Sequence, residues 1–177
     1  YRNVRKNGLI AIGLDEGDEI AGVRMTFGDN EVIVATHNGY AIRIRETDIR
    51  EMSRVAHGVK AIKLRGSDYV VSMARVREGA SVLTVAENGL GRRVPLESYK
   101  VQNRGGKGIK GMNTIDNDII DEIFLTNTHN FIMFFTNMGR VYRMKGYEIP
   151  ESGRNARGVA IVNLLQLLPG EKVTAII

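Results

Sequence analysis

An all-β fold built from repeated blades is what this 177-residue sequence predicts, and three observations predict it. Shifting the chain by fifty residues aligns Gly8, Gly58, Gly108 and Gly158 with one another, and Gly39, Gly89 and Gly139 with one another. Around the second set, apolar residues alternate with polar ones as strands require. Turn residues recur every ten or so positions, leaving no room for long helices. A fixed period of this length marks a repeat architecture, and modules of roughly four strands suggest a propeller-like array. A plain two-sheet sandwich is the alternative.

Each module begins with a hairpin. Val32 and Val34, Val82 and Leu83, and Ile132 and Phe134 lie before the turn, and the tips read His37-Asn38-Gly39-Tyr40, Glu87-Asn88-Gly89-Leu90 and Asn137-Met138-Gly139-Arg140. Asn-Gly between apolar runs predicts a two-residue type I′ turn, whose central residues both need positive φ. No stretch with helical spacing is longer than Glu46 to Met52. A second strand pair follows each glycine of the first set, at Ile10 and Ile12, Ala61 and Ile62, Ile109 and Met112, and Ala160 and Val162. Turns at Glu16-Gly17-Asp18, Asn117-Asp118 and Pro169-Gly170-Glu171 lead into later strands at Ile20 and Val23 and at Ile120 and Ile123. The modules are therefore 1–27 (partial), 28–77, 78–127 and 128–177, about four blades of four strands, the first incomplete at the N-terminus. Tyr1 aligns with Glu51, so the first module has no hairpin, and the two ends are expected to meet at an incomplete blade.

The 25 Lys and Arg against 20 Asp and Glu leave a net charge of +5, which suits a polyanionic partner. There is no cysteine, hence no disulfide framework or thiol metal site. Tyr1 to Asn7 is basic, but only the glycine-interrupted Gly8 to Leu14 follows it, which is no secretory signal. The apolar run Phe131 to Phe135 has strand length, so a soluble, cytoplasmic protein without a membrane segment is expected. The repeat also carries charge. Arg43, Arg93 and Arg143 lie four residues past the turn glycine, and Arg54, Arg104 and Arg154 lie four before the next glycine. Blades set side by side turn each series into a stripe. The hairpin series, with its neighbours Arg45, Arg92, Arg140 and Lys145, is expected to face a ligand. The second series is balanced against a bracing role between blades.

One stretch departs from the repeat: Gln102-Asn103-Arg104-Gly105-Gly106-Lys107-Gly108, followed by Ile109-Lys110. Its glycines let a backbone approach a ligand and expose amides, while Arg104, Lys107 and Lys110 offer charge to phosphate oxygens. It is not a nucleotide-binding P-loop, because the lysine is followed by glycine in place of Ser or Thr. The stretch closely resembles the Gln-Arg-Arg-Gly-Gly-Lys-Gly box that marks the C-terminal domain of bacterial gyrase A. Val141 to Lys145, Tyr147 to Pro150, Ala156 to Gly158 and Ile161 to Leu165 are similar to the module after that box. Ile10 to Val23 and Val82 to Tyr99 are similar to later modules.

The resemblance implies a β-pinwheel, a disc of strand-exchanging blades with a basic rim around which duplex DNA bends, and box residues Gln102, Arg104, Gly105, Gly106, Lys107 and Gly108 among those needed. It implies the rest of gyrase A and gyrase B as partners, and strand cleavage by a tyrosine outside this region, since none of the six tyrosines here has a matching context. Two departures stand out. Asn103 replaces an arginine, and the box, which belongs to the family's first blade, lies here in the third repeat, suggesting a permuted or engineered order. The alternatives are the related C-terminal domain of topoisomerase IV, against which the intact Gly-Gly-Lys-Gly speaks, and a propeller-like protein-interaction module.

No cofactor, metal or catalytic residue is expected. His37, His57 and His129 lie in separate loops without ligand spacing. Asp116, Asp118 and Asp121 lack the glycine and glutamate of a calcium loop. Ser53, Ser67, Ser72, Ser81, Ser98 and Ser152 have no nucleophile-elbow context.

Overall fold

The computed structural model describes residues 4–86, 90–111, 120–153, 156 and 158–177. Among the described residues eleven strands are assigned, and helix is confined to four three-residue 3-10 turns, one of them at Glu46–Asp48 inside the stretch with helical spacing. The strands form three sheets. In the first blade the order is β3 (Val70–Arg75), β1 (Glu31–Thr36), β2 (Tyr40–Arg45) and β6 (Ile109–Lys110). In the second it is β7 (Ile120–Asn127), β4 (Ala80–Ala86), β5 (Leu90–Pro95) and β10 (Val159–Ala160). The third holds β11 (Val173–Ile176), β8 (Phe131–Thr136) and β9 (Val141–Lys145).

The fourth strand of a blade comes from the next module. Tyr40 and Ala41 on β2 pair with Lys110 and Ile109, and Leu90 and Gly91 on β5 pair with Ala160 and Val159. This exchange accounts for two glycines of the first set, Gly108 and Gly158. Gly108 has φ +68, and a Cβ there would stand 3.0 Å from the Ala41 carbonyl and 2.8 Å from Ile62 Cδ1. Gly158 has φ +88 and lies equally close to the Gly91 carbonyl, at 2.9 Å. Both glycines turn the chain left-handed while letting backbone meet backbone.

The hairpins are tighter at their glycine than a type I′ turn allows for. The Gly39 and Gly139 amides donate back to the Thr36 and Thr136 carbonyls, at 2.9 and 3.0 Å, and the Thr136 amide donates to the Arg140 carbonyl at 2.9 Å. These are three-residue loops with a positive-φ glycine at the end, the geometry of a type I turn closed by a glycine bulge. The Thr36 and Thr136 hydroxyls accept from the Tyr40 and Arg140 amides, a threonine role the Asn-Gly signal does not encode. The Glu87 to Leu90 tip lies largely outside the described residues.

Strand β1 is buried at Val32 through Thr36, without alternation. Ile33, Ala35 and Ala41 face the second blade, where they meet Val82, Val94, Leu96 and Tyr99. Val32, Val34, Ile42 and Ile44 form a separate core with Ile62 on the other side. A third core joins Leu83 and Val85 to Ile132, Phe134, Met144 and Ile149. The second blade lies between two others, and the first lies between the second blade and Ile49, Ala61 and Ile62 of its own module, so neither has a solvent face; alternation survives on β8, whose Phe131 and Met133 are exposed while Ile132 and Phe134 are buried. The first module differs from expectation more: residues 4–27 form no strand, and Ile10, Ile20, Val23 and Met25 are exposed. Strands are made by partners, and no described hairpin lies opposite.

Glu171 ties the third blade's far turn to its hairpin by accepting from Thr136 Oγ1 (2.7 Å), the Tyr142 hydroxyl (2.8 Å) and the Leu168 amide (2.9 Å). Burial acts to raise its pKa, but these bonds and the charge of Arg140 outweigh it and hold the carboxyl below its ordinary value of 4.5. A lowered folded-state pKa gives stability that is complete above the unfolded value and is lost as pH falls through the folded one.

Three outcomes are expected. In urea titrations, Gly139→Ala, at φ +72 with open space around it, costs about 1–2 kcal/mol for the left-handed backbone. Gly108→Ala costs roughly 1–3 kcal/mol more, because its Cβ also meets Ala41 and Ile62. In the same assay run from pH 7 downward, stability falls below about pH 4.5, and Glu171→Gln flattens that acid limb.

Candidate nucleic-acid interface

The box is held from three sides. The Gly105 amide donates to the Ala61 carbonyl (2.7 Å), the Lys63 amide donates to the Gly106 carbonyl (2.8 Å), and the Gln102 amide donates to the Arg43 carbonyl (2.8 Å). Arg65, stacked over the Tyr40 ring at 3.7 Å, donates through Nη2 to the Lys107 carbonyl at 2.9 Å. Arg104 Nε donates to the Asp48 carbonyl at 2.9 Å. A Cβ on Gly106 would sit 3.1 Å from the Asn103 carbonyl and 3.3 Å from Ile42 Cδ1, so this glycine seats the box on the first blade's core.

The box amides are therefore not a ligand cradle. Those of Gly105 and Gly106 are spent within the protein, the latter on the Asn103 carbonyl at 3.3 Å, which corrects the expectation that the glycines expose amides. What the box presents is side-chain charge: Arg104, Lys107 and Lys110 are exposed. Lys100 beside them is exposed too, and one period earlier Arg50, Arg54 and Lys60 are exposed in the registers of Lys100, Arg104 and Lys110. His57, in the register of Lys107, pairs through Nδ1 with Asp15 at 2.8 Å. Arg154 lies outside the described residues. Sequence reasoning passed over Arg65, whose position is not basic one period later at Ile115.

The hairpin arginines are placed differently from expectation. Arg93 is 9% exposed and Arg92 0%. Arg93 Nε donates to the Ile149 carbonyl (3.2 Å), and its Nη1 lies 2.9 Å from Glu151 Oε2 and 3.4 Å from Ser81 Oγ. Arg43 does the same one blade earlier: Nη1 reaches the Leu96 and Tyr99 carbonyls, both at 3.3 Å, and Nη2 pairs with Glu31 at 2.6 Å. Arg92 Nη1 donates to the Gly153 and Ala156 carbonyls at 2.9 and 2.7 Å. All three cross the joint between consecutive blades. The register repeats because the joint repeats, and peptide carbonyls, joined by Glu31 at Arg43 and Glu151 at Arg93, meet these guanidinium groups within the protein. Arg45 and Arg140 are exposed. So is Arg143, which lies over the Phe131 ring at 4.2 Å, while Lys145 Nζ lies 3.6 Å from the same ring and donates to the His129 carbonyl.

Among the described residues, no group of three His, Cys, Asp or Glu could hold a metal ion, and no helix is long and apolar enough to cross a membrane.

The family model described as the DNA gyrase C-terminal domain, beta-propeller, matches residues 1–26, 30–77, 80–127 and 130–177. The DNA gyrase A protein of Staphylococcus epidermidis is 38% identical over 167 residues, 93% of this chain and 19% of that protein. That of Clostridium acetobutylicum is 39% identical over 160 residues, 90% of this chain and 19% of the relative, and that of Halalkalibacterium halodurans is 50% identical over 96 residues, 54% of this chain and 12% of the relative. The chain thus spans about a fifth or less of the curated relatives it matches. Among solved structures, a topoisomerase IV C-terminal domain superposes with a TM-score of 0.84 at 24% identity over 91% of this chain and 51% of the other. A gyrase A C-terminal domain superposes with a TM-score of 0.83 at 24% identity over 97% of this chain and 58% of the other. These two likenesses establish the pinwheel fold and do not separate the two kinds of domain.

Replacing Arg93 by Met leaves the Ile149 carbonyl and Glu151 without their shared donor, and is expected to lower unfolding stability by about 1.5–3 kcal/mol. Arg143→Met, at the exposed position of the same register, changes it by less than about 0.5 kcal/mol. Urea denaturation followed by circular dichroism compares the two.

Proposed function

The chain belongs to the family of DNA gyrase C-terminal domains, and we propose that within it the chain binds and wraps duplex DNA through the edge that carries the box, with no catalytic chemistry of its own. The observation that carries the proposal is the exposed run of Lys100, Arg104, Lys107 and Lys110, with Arg50, Arg54 and Lys60 in matching registers one blade earlier. Arg45, Arg140, Arg143 and Lys145 extend the set of candidate contacts at the hairpins. Arg43, Arg92 and Arg93 serve it indirectly, by holding the blades at a fixed angle.

The physical basis is counterion release. Each phosphate neutralised by a Lys or Arg frees condensed cations, so affinity falls with salt at a slope of about 0.9 per phosphate engaged. Among the described residues helix is confined to three-residue 3-10 turns, too short to enter a major groove, so preference among sequences is expected to follow bendability in place of base edges. Bending 20–30 base pairs costs on the order of 1–6 kcal/mol, which several such contacts together must offset. The Asn103 amide in place of an arginine removes one charge from the box and so weakens the grip. The modules are taken as 28–77, 78–127 and 128–177, with 1–27 a partial one. In the whole enzyme the partners are the remainder of gyrase A and gyrase B, in the bacterial cytoplasm at the nucleoid. The box favours gyrase A over topoisomerase IV.

Removing Arg104 and Lys107 together is expected to lower the salt slope of duplex binding by about 2 and to reduce bending more than straight-duplex binding. Gel shift across a salt series and fluorescence measurement of end-to-end distance read the two. Equal loss in both would make the box a source of charge alone. A relaxed circle treated with a nicking-closing enzyme tests wrapping itself, since a wrap of one hand leaves a linking-number change of one sign.

A further inference from the structure

The box places its lysine in the most pliable setting a chain offers. Gly105 and Gly106 precede Lys107 and Gly108 follows it, and glycine leaves the main chain more freedom than any other residue. A lysine is aimed by the direction of its own main chain, so this setting needs an anchor. The near end has one: the Gly105 amide donates to the Ala61 carbonyl at 2.7 Å, and the Gly106 carbonyl accepts from the Lys63 amide at 2.8 Å. At Lys107 itself the anchor is a side chain. Arg65 Nη2 donates to the Lys107 carbonyl at 2.9 Å, while its guanidinium carbon lies 3.7 Å from the centre of the Tyr40 ring. Arg65 Nη1 is buried with no hydrogen-bond partner among the described residues, so the guanidinium serves the ring and the box.

Arg65 belongs to a turn that also holds the hairpin. The Asp68 amide donates to the Arg65 carbonyl at 3.0 Å, Asp68 Oδ1 accepts from the Asn38 amide at 2.9 Å, and the His37 amide donates to the Tyr69 carbonyl at 2.9 Å. The third blade has the same turn. There the Glu171 amide donates to the Leu168 carbonyl at 2.9 Å, and the Asn137 amide donates to the Lys172 carbonyl at 3.0 Å. Exposed Leu168 thus stands where Arg65 stands in the first blade, and the turn closes without an arginine. The guanidinium is found in the blade on which the box is seated, and its contacts are to the box and to the ring beside it. Folding of the turn does not account for Arg65, and the box does.

We propose that Arg65 is a positioning residue for DNA bending: it fixes the main chain at Lys107 so that the lysine meets a phosphate of the curved duplex. The inference rests on the wrapping reading above and adds to it a residue that itself touches no DNA. Counterion release requires only that a cation lie near a phosphate, so straight-duplex binding tolerates a loosely held lysine. Curvature is stricter, because the elastic cost of bending is recovered only by contacts placed where the bent path brings the phosphates. Arg104 is placed by its own bond to the Asp48 carbonyl. Lys107 is placed by Arg65, and through Asp68 the same turn ties the box to the hairpin tip at Asn38.

The test uses the full 177-residue chain with two probes, a straight duplex of about 30 base pairs and a relaxed circle treated with a nicking-closing enzyme. Arg65→Leu, which installs the residue of the third blade's turn, is expected to keep the parent's urea midpoint. It changes the salt slope of straight-duplex binding by far less than the value of about 0.9 that a lost phosphate contact removes. The linking-number change per bound chain falls as far as it does in Lys107→Gln, and the double variant loses no more than either, since a residue acting through Lys107 then has nothing to act on. Arg65→Lys keeps a cation for the Tyr40 ring and a donor for the carbonyl, and restores most of the parent's value. Should Arg65→Leu lower the urea midpoint, Arg65→Gln takes its place in the same cycle. A fall of about 0.9 in the slope makes Arg65 a phosphate contact and overturns the proposal. So do losses that add in the double variant, or an unchanged linking number in Arg65→Leu beside a reduced one in Lys107→Gln. A parent chain that leaves the linking number unchanged overturns the wrapping reading itself, and this inference with it.

Discussion

The rest of this structure depends on one constraint: no module can finish its own blade. The second strand of the first and second hairpins presents an open edge, and the two residues that cover it arrive from the next module, behind a left-handed glycine whose Cβ, if it had one, would stand 2.9–3.0 Å from a carbonyl. Because the covering strand is only two residues long, it needs reinforcement. The arginine beneath it supplies this by reaching carbonyls of the following blade, as Arg43 and Arg93 do. Blade angle, core composition and box position all follow from that joint. Repeat proteins generally derive stability from neighbour interfaces as well as from each repeat. Here the interface includes the hydrogen-bonded continuity of a sheet, so a blade and its successor cannot be separated without breaking backbone pairing.

The same joint sorts the arginines into two populations that a sequence does not distinguish. Both recur at the fifty-residue period, but one recurs because it fills a joint, whereas the other is exposed at the surface. Arg93 and Arg104 illustrate the difference. Arg93 is almost fully buried and its charge is met by a carbonyl and a carboxylate, whereas Arg104 gives one nitrogen to the Asp48 carbonyl and stays exposed. A buried guanidinium demands several acceptors at fixed positions, and a chain of β-turns is rich in free carbonyls. Arginine is thus a natural cement for a pinwheel, and a regular arginine register is evidence of regular packing before it is evidence of an anionic ligand.

Much of the architecture was readable from the residues. The period located every hairpin among the described residues, since glycine and alternating apolar side chains have few other uses at that spacing. The box was readable because Gly-Gly-Lys-Gly breaks the repeat. Three things were not. The turn type depends on Thr36 and Thr136, whose hydroxyls act only once the strands are paired. The burial of β1 on both faces depends on the second blade, about fifty residues away, for one face and on Ile62 of its own module for the other. The support of the box by Arg65 and Tyr40 is unique to one module and leaves no periodic trace. Local chemistry is written in the sequence. Which side of a strand meets another blade is settled by topology.

The exchanged strand also sets a schedule. Tyr40 and Ala41 wait for Lys110 and Ile109, about seventy residues further along. At a synthesis rate of about 5–20 residues per second, the first blade spends on the order of 4–14 s with a finished hairpin and a bare edge. Each later blade repeats the delay. A nascent array of this kind therefore always trails one unpaired strand behind the ribosome, a growing tip open to wrong partners until the next glycine turn has emerged.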